Sequence, residues 1–204
     1  MHVNFVQALL DVLIFWMLTT PHEFAHAWVA ERLGDDTPRR DGRVTLNPAA
    51  HIDVLGTVIV PLVTSLMGGG FIGWGRPVMT NPSKLRGGNW GMTAVAMAGP
   101  LSNIVFACIV ASAANLLPGA MDILGRAIFM SVYLALFNLI PLPPLDGSKV
   151  LLAAGLPVRW YIELSRYGFL LLMVLFYSTG FGRILHDTTV VSANAILHVL
   201  FFRG

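Results

Sequence analysis

The stretch Gly87–Met121 contains no Asp, Glu, Lys or Arg. It is longer than the roughly 20 apolar residues that carry an α-helix across a bilayer. Further uncharged runs lie at Val54–Gly75, Ala127–Leu145 and Tyr167–Gly182. Only 12% of all residues are charged, about half of the ~25% that is usual in soluble domains. Because so few charges cannot cover a globule in water, the sequence predicts an integral membrane protein.

Six apolar segments can be distinguished, separated by stretches rich in Gly and Pro. They are Phe5–Leu33, Val54–Met67, Gly91–Leu117, Asp122–Leu139, Trp160–Thr179 and Thr188–Phe202. The second would be only about 21 Å long as a helix, shorter than the roughly 30 Å core of a bilayer. We expect it to enter the membrane and return, with Gly68-Gly69-Gly70 forming the reversal. The prediction is an all-α integral membrane protein, one domain over residues 1–204, with about five transmembrane helices and one re-entrant, hairpin-like segment.

Basic residues predict the orientation, because Lys and Arg are enriched at the cytoplasmic ends of transmembrane helices. With the N-terminus outside and the second segment not crossing, all but two of the 13 Lys and Arg residues are cytoplasmic. The two exceptions are Arg126 and Arg183. The C-terminus is then expected on the cytoplasmic side.

The first apolar segment contains the sequence His22-Glu23-Phe24-Ala25-His26. Histidines four residues apart lie on one face of a helix, so both imidazoles can reach one metal ion. The intervening Glu23 can then take a proton from a water molecule, as in zinc hydrolases. Ionisable groups in a membrane helix are costly and mark functional sites. The alternative is a buried polar cluster whose members pair only with one another.

A catalytic zinc site needs a third protein ligand, and Asp146 is the strongest candidate. It follows the fourth segment in Pro141-Leu142-Pro143-Pro144-Leu145-Asp146-Gly147, where the prolines prevent a regular helix. Asp146 could instead cap the short helix that is predicted after it. The rival ligands, all near the same membrane face, are His51, Asp53 and His198.

Three ordered motifs resemble the site-2 protease family of intramembrane zinc metalloproteases. They are His22-Glu23-Phe24-Ala25-His26, Ala98-Gly99-Pro100-Leu101-Ser102-Asn103 and Asn138-Leu139-Ile140-Pro141-Leu142-Pro143-Pro144-Leu145-Asp146-Gly147. The resemblance covers essentially the whole chain and is to a compact prokaryotic branch that lacks a PDZ domain. It implies an active site within the bilayer near the cytoplasmic face, in a prokaryotic cell (inner) membrane.

The resemblance also implies residue roles. His22, His26 and Asp146 would bind one Zn²⁺ per chain, and Glu23 would be the catalytic base. Asn138 and Asn103 would hold substrate or stabilise the oxyanion, since an amide can donate to developing negative charge. For both asparagines, the alternative role is hydrogen bonding between helices.

These features together predict a metalloendopeptidase that cuts transmembrane segments in regulated intramembrane proteolysis. Its expected partners are transmembrane protein substrates, the lipid bilayer and a separate regulatory membrane protein, and no nucleic acid. The stretch Gly73–Thr80 could pair with an unwound substrate as an extended edge, or could be an ordinary connecting loop. A zinc transporter or sensor would need metal sites along a pathway. An inactive scaffold would be expected to lose Glu23 or Asp146, and both residues are present.

Overall fold

The computed structural model describes residues 5–67, 71–114 and 116–200. Most of these residues are helical, and none of them lies in a β-strand. In chain order the α-helices are α1 (Phe5–Arg32), α2 (Thr37–Arg40), α3 (Val60–Leu66), α4 (Gly88–Ala114), α5 (Met121–Asn138), α6 (Lys149–Ala153), α7 (Val158–Ser178) and α8 (Phe181–Leu200). The all-α prediction is confirmed for this part of the chain.

Helices α1, α4 and α5 are each long and apolar enough to cross a membrane. The 28 residues of α1 correspond to about 42 Å at 1.5 Å per residue. Helices α7 and α8 meet the same criteria only together, as a pair bent by 79° between Phe176 and Phe181. The described residues thus contain three candidate spans, or four if the bent pair counts as one. The chain is a membrane protein, and the expected five crossings stay a prediction.

Helices α1 and α4 run antiparallel and meet at one end of the bundle. The backbone N–H of Arg86, just before α4, donates to the carbonyl of Leu33, just after α1, at 2.9 Å. Ala30, Leu85 and Val95 form a buried cluster at this end. Because α1 ends where α4 begins, residues 34–87 make no net passage along the bundle.

Small residues bring α4, α5 and α8 together. Ala107 and Ala111 of α4 pack against Ile128 and Val132 of α5 and Ala193 of α8 in one buried cluster. In lipid, helices associate through close van der Waals packing, which small side chains permit. Helix α4 therefore packs against α1, α5 and α8, and α1 also contacts α5 through the ion pair of Asp11 and Arg126 at 3.2 Å.

The short apolar segment folds back on itself. A stretch of π-helix, Val54–Ile59, continues directly into α3. The chain returns without helix from residue 71 to residue 81, a segment named here the returning strand. The returning strand is fixed to the π-helix and to the loop before it, since Trp74 N–H donates to the Gly56 carbonyl at 2.9 Å and Arg76 N–H to that of His51 at 3.0 Å. Residues 54–67 and 71–81 thus have the form of a hairpin, and the expected re-entry into the membrane stays a prediction. The reversal expected at residues 68–70 lies outside the described residues.

The proline-rich stretch after α5 is irregular and turns back towards α4. Asp146–Ser148 form a single 3₁₀ turn before α6. Gly147 fits only because it has no side chain, as a Cβ there would lie 2.2 Å from the Leu139 carbonyl oxygen. Thr93 in α4 then donates to the Lys149 carbonyl at 3.1 Å. These contacts place Asp146 next to the face of α4 that packs against α1.

Candidate metal centre

The two histidines of α1 point into the bundle. His22 and His26 are both buried, their ring centroids are 4.7 Å apart, and their Nε2 atoms are 3.1 Å apart. The spacing of four residues puts both rings on one helical face, and that face packs against α4. The structure thus brings together the pair that the sequence predicts as metal ligands.

The orientation of the His26 ring is set by α4. Its Nδ1 lies 2.7 Å from the carbonyl oxygen of Val95. A carbonyl can only accept, so Nδ1 carries the proton and the Nε2 of the neutral ring presents a lone pair. Ligating histidines usually donate their second ring N–H in this way. Val95 therefore prepares His26 Nε2 to bind a cation.

The third donor atom is Oδ2 of Asp146. It lies 3.2 Å from His22 Nε2 and 3.2 Å from His26 Nε2, so the three atoms form a nearly equilateral triangle. With zinc–ligand bonds of 2.0–2.1 Å, two ligands of a tetrahedral ion are separated by about 3.3 Å. The residues fit a zinc ion, which would have a fourth position open. The Asp146 carboxylate is directed at the histidines, and no side-chain hydrogen bond caps the helix that follows.

Gly99 of α4 lies against both rings. A Cβ at this position would be 2.4 Å from His26 Nε2 and 2.7 Å from His22 Cε1. Only a residue without a side chain lets α4 approach the two histidines so closely. The Gly99-Pro100 pair is evident in the sequence, whereas its contact with the ligands depends on the packing of α4 on α1.

Glu23 is buried next to His22 but is not one of the three converging donors. Its Oε2 accepts a hydrogen bond from the backbone N–H of Val78 at 3.2 Å. Its Oε1 faces Gly75, where an added Cβ would be 3.3 Å away. The returning strand of the re-entrant hairpin therefore lies over the carboxylate. This contact joins residues 55 positions apart and has no counterpart in any sequence motif.

The rival ligands lie elsewhere in the described structure. The fully buried His51 directs its Nε2 at the Thr45 carbonyl, 2.8 Å away. Burial and the neighbouring charge of Arg43 lower its pKa below the ordinary value, although the Thr45 carbonyl opposes this. Asp53 caps the re-entrant segment by accepting from the Gly56 N–H at 2.8 Å. Among the described residues, His198 does not belong to the candidate metal-binding group.

The two asparagines do not contact the converging donors through any hydrogen bond in the described residues. Asn138 donates from Nδ2 to the Leu134 carbonyl of its own helix at 3.0 Å. Asn103 is fully buried, and neither atom of its amide has a partner in the described part of the chain. The catalytic roles of Asn138 and Asn103 stay predictions.

Comparison with known proteins finds relatives over most of the chain. The Bacillus subtilis protein named "Putative zinc metalloprotease YwhC" is 35% identical over 172 residues, which are 77% of this chain and 75% of that protein. The chain belongs to the YwhC family. The name of this relative is in accord with the donor set assembled by α1 and Asp146.

This member of the YwhC family also resembles mycobacterial proteins. The Mycolicibacterium smegmatis protein named "Putative zinc metalloprotease Rip2" is 28% identical over 193 residues, 89% of this chain and 72% of that protein. Rip2 of Mycobacterium tuberculosis H37Rv is 30% identical over 141 residues, 64% of this chain and 51% of that protein. No protein-family model and no solved structure matches the chain.

Proposed function

We propose that the chain is an intramembrane zinc metalloendopeptidase of the site-2 protease type, which hydrolyses peptide bonds in or near transmembrane segments. The observation that carries the proposal is the convergence of three donor atoms, His22 Nε2, His26 Nε2 and Asp146 Oδ2, at 3.1–3.2 Å from one another. They belong to, or pack against, helices long enough to span a bilayer. Metal ligands at that depth are expensive unless they serve a function.

Each side chain has a role in this proposal. His22, His26 and Asp146 would hold one zinc ion, which would act as a Lewis acid and lower the pKa of a bound water molecule. Glu23 takes the proton from the attacking water and later delivers it to the leaving amine. One oxygen of its carboxylate is held by Val78 N–H, and the other remains available for proton transfer.

Asn138 and Asn103 are proposed to bind the substrate backbone or to stabilise the oxyanion. An amide donates a hydrogen bond without bringing a net charge into an apolar site. Neither amide atom of Asn103 has a hydrogen-bond partner among the described residues, which leaves its donor capacity for a substrate. Asn138 would have to exchange its bond to Leu134 for one to substrate.

The proposed substrates are transmembrane helices of other membrane proteins. Every internal amide of such a helix is hydrogen-bonded, so the scissile bond must be unwound at the expense of several kcal/mol per unsatisfied group. Gly, Pro and Asn weaken a helix and should favour cutting nearby. The extended stretch 73–80 would accept the unwound backbone as an added strand. We place this reaction in a prokaryotic cell membrane, under a separate regulatory membrane protein.

A zinc transporter is the competing function. Transport needs metal sites along a pathway, whereas the described residues contain one group of three or more His, Cys, Asp or Glu residues suited to a metal. The test uses the purified protein, a chelator and a transmembrane substrate. We expect cleavage to stop on chelation and to return with about one zinc per chain. Zinc flux into sealed proteoliposomes without any cleavage would instead favour transport.

A further inference from the structure

Arg43 is buried and contacts the returning strand at Arg76. The residue is only 4% exposed, and the guanidinium donates from Nη2 to the carbonyl oxygen of Arg76. Its Nε is buried without a partner among the described residues. Burying a charged guanidinium costs free energy. The contact of Arg43 with the Arg76 carbonyl therefore suggests a role other than solubility.

The peptide units around Arg76 are held from two sides. Arg43 binds the carbonyl, and the N–H donates to the His51 carbonyl at 3.0 Å. The loop that contains both partners is itself fixed. His51 is hydrogen-bonded to the Thr45 carbonyl at 2.8 Å, and Trp16 of α1 donates to the Pro48 carbonyl at 3.0 Å. The loop 43–51 therefore forms a clamp on the returning strand, anchored to the helix that carries the histidines.

Two residues beyond Arg76, the same strand reaches Glu23. Val78 N–H donates to Glu23 Oε2 at 3.2 Å. The intervening Pro77 restricts the backbone, because its ring fixes φ near −65°. With one rotation fewer between them, the position of the Val78 N–H is coupled to that of the Arg76 peptide. A continuous path leads from Arg43 through Arg76 and Val78 to the carboxylate of Glu23.

We propose that Arg43 is a positioning residue for Glu23, which acts through the strand and does not touch the metal. The inference rests on the proposed role of Glu23 as the catalytic base. A carboxylate on a flexible side chain samples several rotamers, and only some present an oxygen to the attacking water. Anchoring Oε2 through Val78 holds the other oxygen in the productive orientation. Positioning of this kind contributes to the rate of the chemical step.

The first test removes the amide hydrogen at residue 78. Val78→Pro deletes the donor, whereas Val78→Ala keeps it and changes only the side chain. In the purified zinc-loaded enzyme, we expect Val78→Pro to lower kcat by about tenfold or more, the rate equivalent of one lost hydrogen bond to a charged group. The zinc content should stay near wild type in both variants, and Val78→Ala should keep a clearly higher kcat than Val78→Pro.

The second test addresses Arg43 itself. Arg43→Met removes every donor at similar volume, and Arg43→Lys restores one charged donor. We expect Arg43→Met to lower kcat to a similar extent as Val78→Pro, and Arg43→Lys to recover most of the loss. The double variant Arg43→Met/Val78→Pro should be no slower than Val78→Pro alone. When two residues act through one path, the effects of their substitutions do not add.

A normal kcat for both Val78→Pro and Arg43→Met would overturn the proposal. So would a change in KM without a change in kcat, or losses of kcat that add up in the double variant. Glu23→Gln is measured in parallel to separate this inference from the proposed function. An active Glu23→Gln enzyme would refute the role of Glu23 as the base and the positioning role with it. An inactive Glu23→Gln enzyme beside normal Val78→Pro and Arg43→Met enzymes would refute only the positioning role.

Discussion

At the scale of single residues, Gly99 controls how closely α4 approaches the metal ligands. Gly99→Ala would place a Cβ 2.4 Å from His26 Nε2 and 2.7 Å from His22 Cε1, and the rings would have to move. We expect zinc affinity to fall by about tenfold or more, as for other changes that disturb ligand orientation. Competition with a chromogenic chelator measures this affinity.

Gly125→Ala is the matched control for Gly99→Ala. Gly125 lies in α5, and a Cβ at that position would meet no atom within 4 Å. It should leave zinc affinity unchanged. Equal affinities for wild type and Gly99→Ala would show that the histidines do not bind the metal in the arrangement described above.

The choice of third ligand is also decided at single residues. Asp146→Ala should lose zinc and proteolysis together, because Asp146 Oδ2 is one of the three converging donors. His51→Ala should keep about one zinc per chain, because the His51 ring is directed at Thr45. Metal analysis of the two purified variants distinguishes them. Zinc loss in His51→Ala alone would make His51 the ligand.

The sequence predicts the two histidine ligands, but it only reduces the number of candidates for the third ligand. Spacing along one helix fixes which side chains share a face, so His22 and His26 follow from the sequence. Whether Asp146, His51 or Asp53 completes the group depends on how separate loops pack, and neither hydropathy nor spacing encodes that packing. For the same reason, no motif indicated the Val95 carbonyl or the Val78 N–H as contacts of the site.

At the scale of elements, Asp35 joins the connection after α1 to the connection before α4. Its fully buried carboxylate accepts from the backbone N–H of Thr37 at 3.0 Å and from that of Asn81. Burial alone would raise the pKa of Asp35, but the hydrogen bonds of Thr37 and Asn81 and the charge of Lys84 outweigh it. The pKa is therefore held below its ordinary value.

A lowered pKa in the folded state gives a stabilisation with a defined pH range. It is present above the unfolded-state pKa of about 4 and is lost as pH falls through the folded-state pKa. We expect Asp35→Asn to be less stable by about 2 kcal/mol at pH 7, with the difference shrinking below pH ~4. Thermal unfolding of chelator-treated protein in detergent measures it, since zinc loss then plays no part.

The exposed Asp41 provides the control for the Asp35 experiment. Asp41→Asn should have the same unfolding temperature as the wild type at pH 7 and at pH 3. A difference between Asp35→Asn and wild type that stays constant from pH 7 to pH 3 would contradict the charge-based explanation. It would point instead to lost packing around residue 35.

The re-entrant hairpin shows what the sequence can predict about an element. The short length of the Val54–Met67 segment predicts that it does not cross the bilayer, and this prediction follows from hydropathy alone. Hydropathy does not predict the hydrogen bonds of Trp74 with Gly56 and of Arg76 with His51. Bonds between backbone groups do not depend on a particular side chain, so no sequence pattern marks them. Gly56 indicates the contact only in retrospect, as a Cβ there would be 2.2 Å from the Trp74 indole nitrogen.

At the scale of the whole molecule, the ends of the re-entrant region determine the topology. Since Arg86 N–H donates to the Leu33 carbonyl, both flanks of residues 34–87 lie at one end of the bundle. The distribution of Lys and Arg predicts that this end is cytoplasmic. Single cysteines at the exposed positions Asp41 and Lys84, in a Cys108→Ala background, should both be labelled by an impermeant reagent from the cytoplasmic side only. Labelling from opposite sides would contradict the shared depth of the histidines and Asp146.

The proposed enzyme cuts peptide bonds with a zinc ion held by His22, His26 and Asp146 and with Glu23 as the base. The most direct test measures zinc content and cleavage of a transmembrane substrate in the same preparations of wild type and Glu23→Gln. Glu23 is outside the group of converging donors, so the variant should keep about one zinc per chain. Its cleavage rate should fall by at least about a hundredfold, as is usual when a general base is lost. Cleavage by Glu23→Gln at a substantial fraction of the wild-type rate would contradict the account.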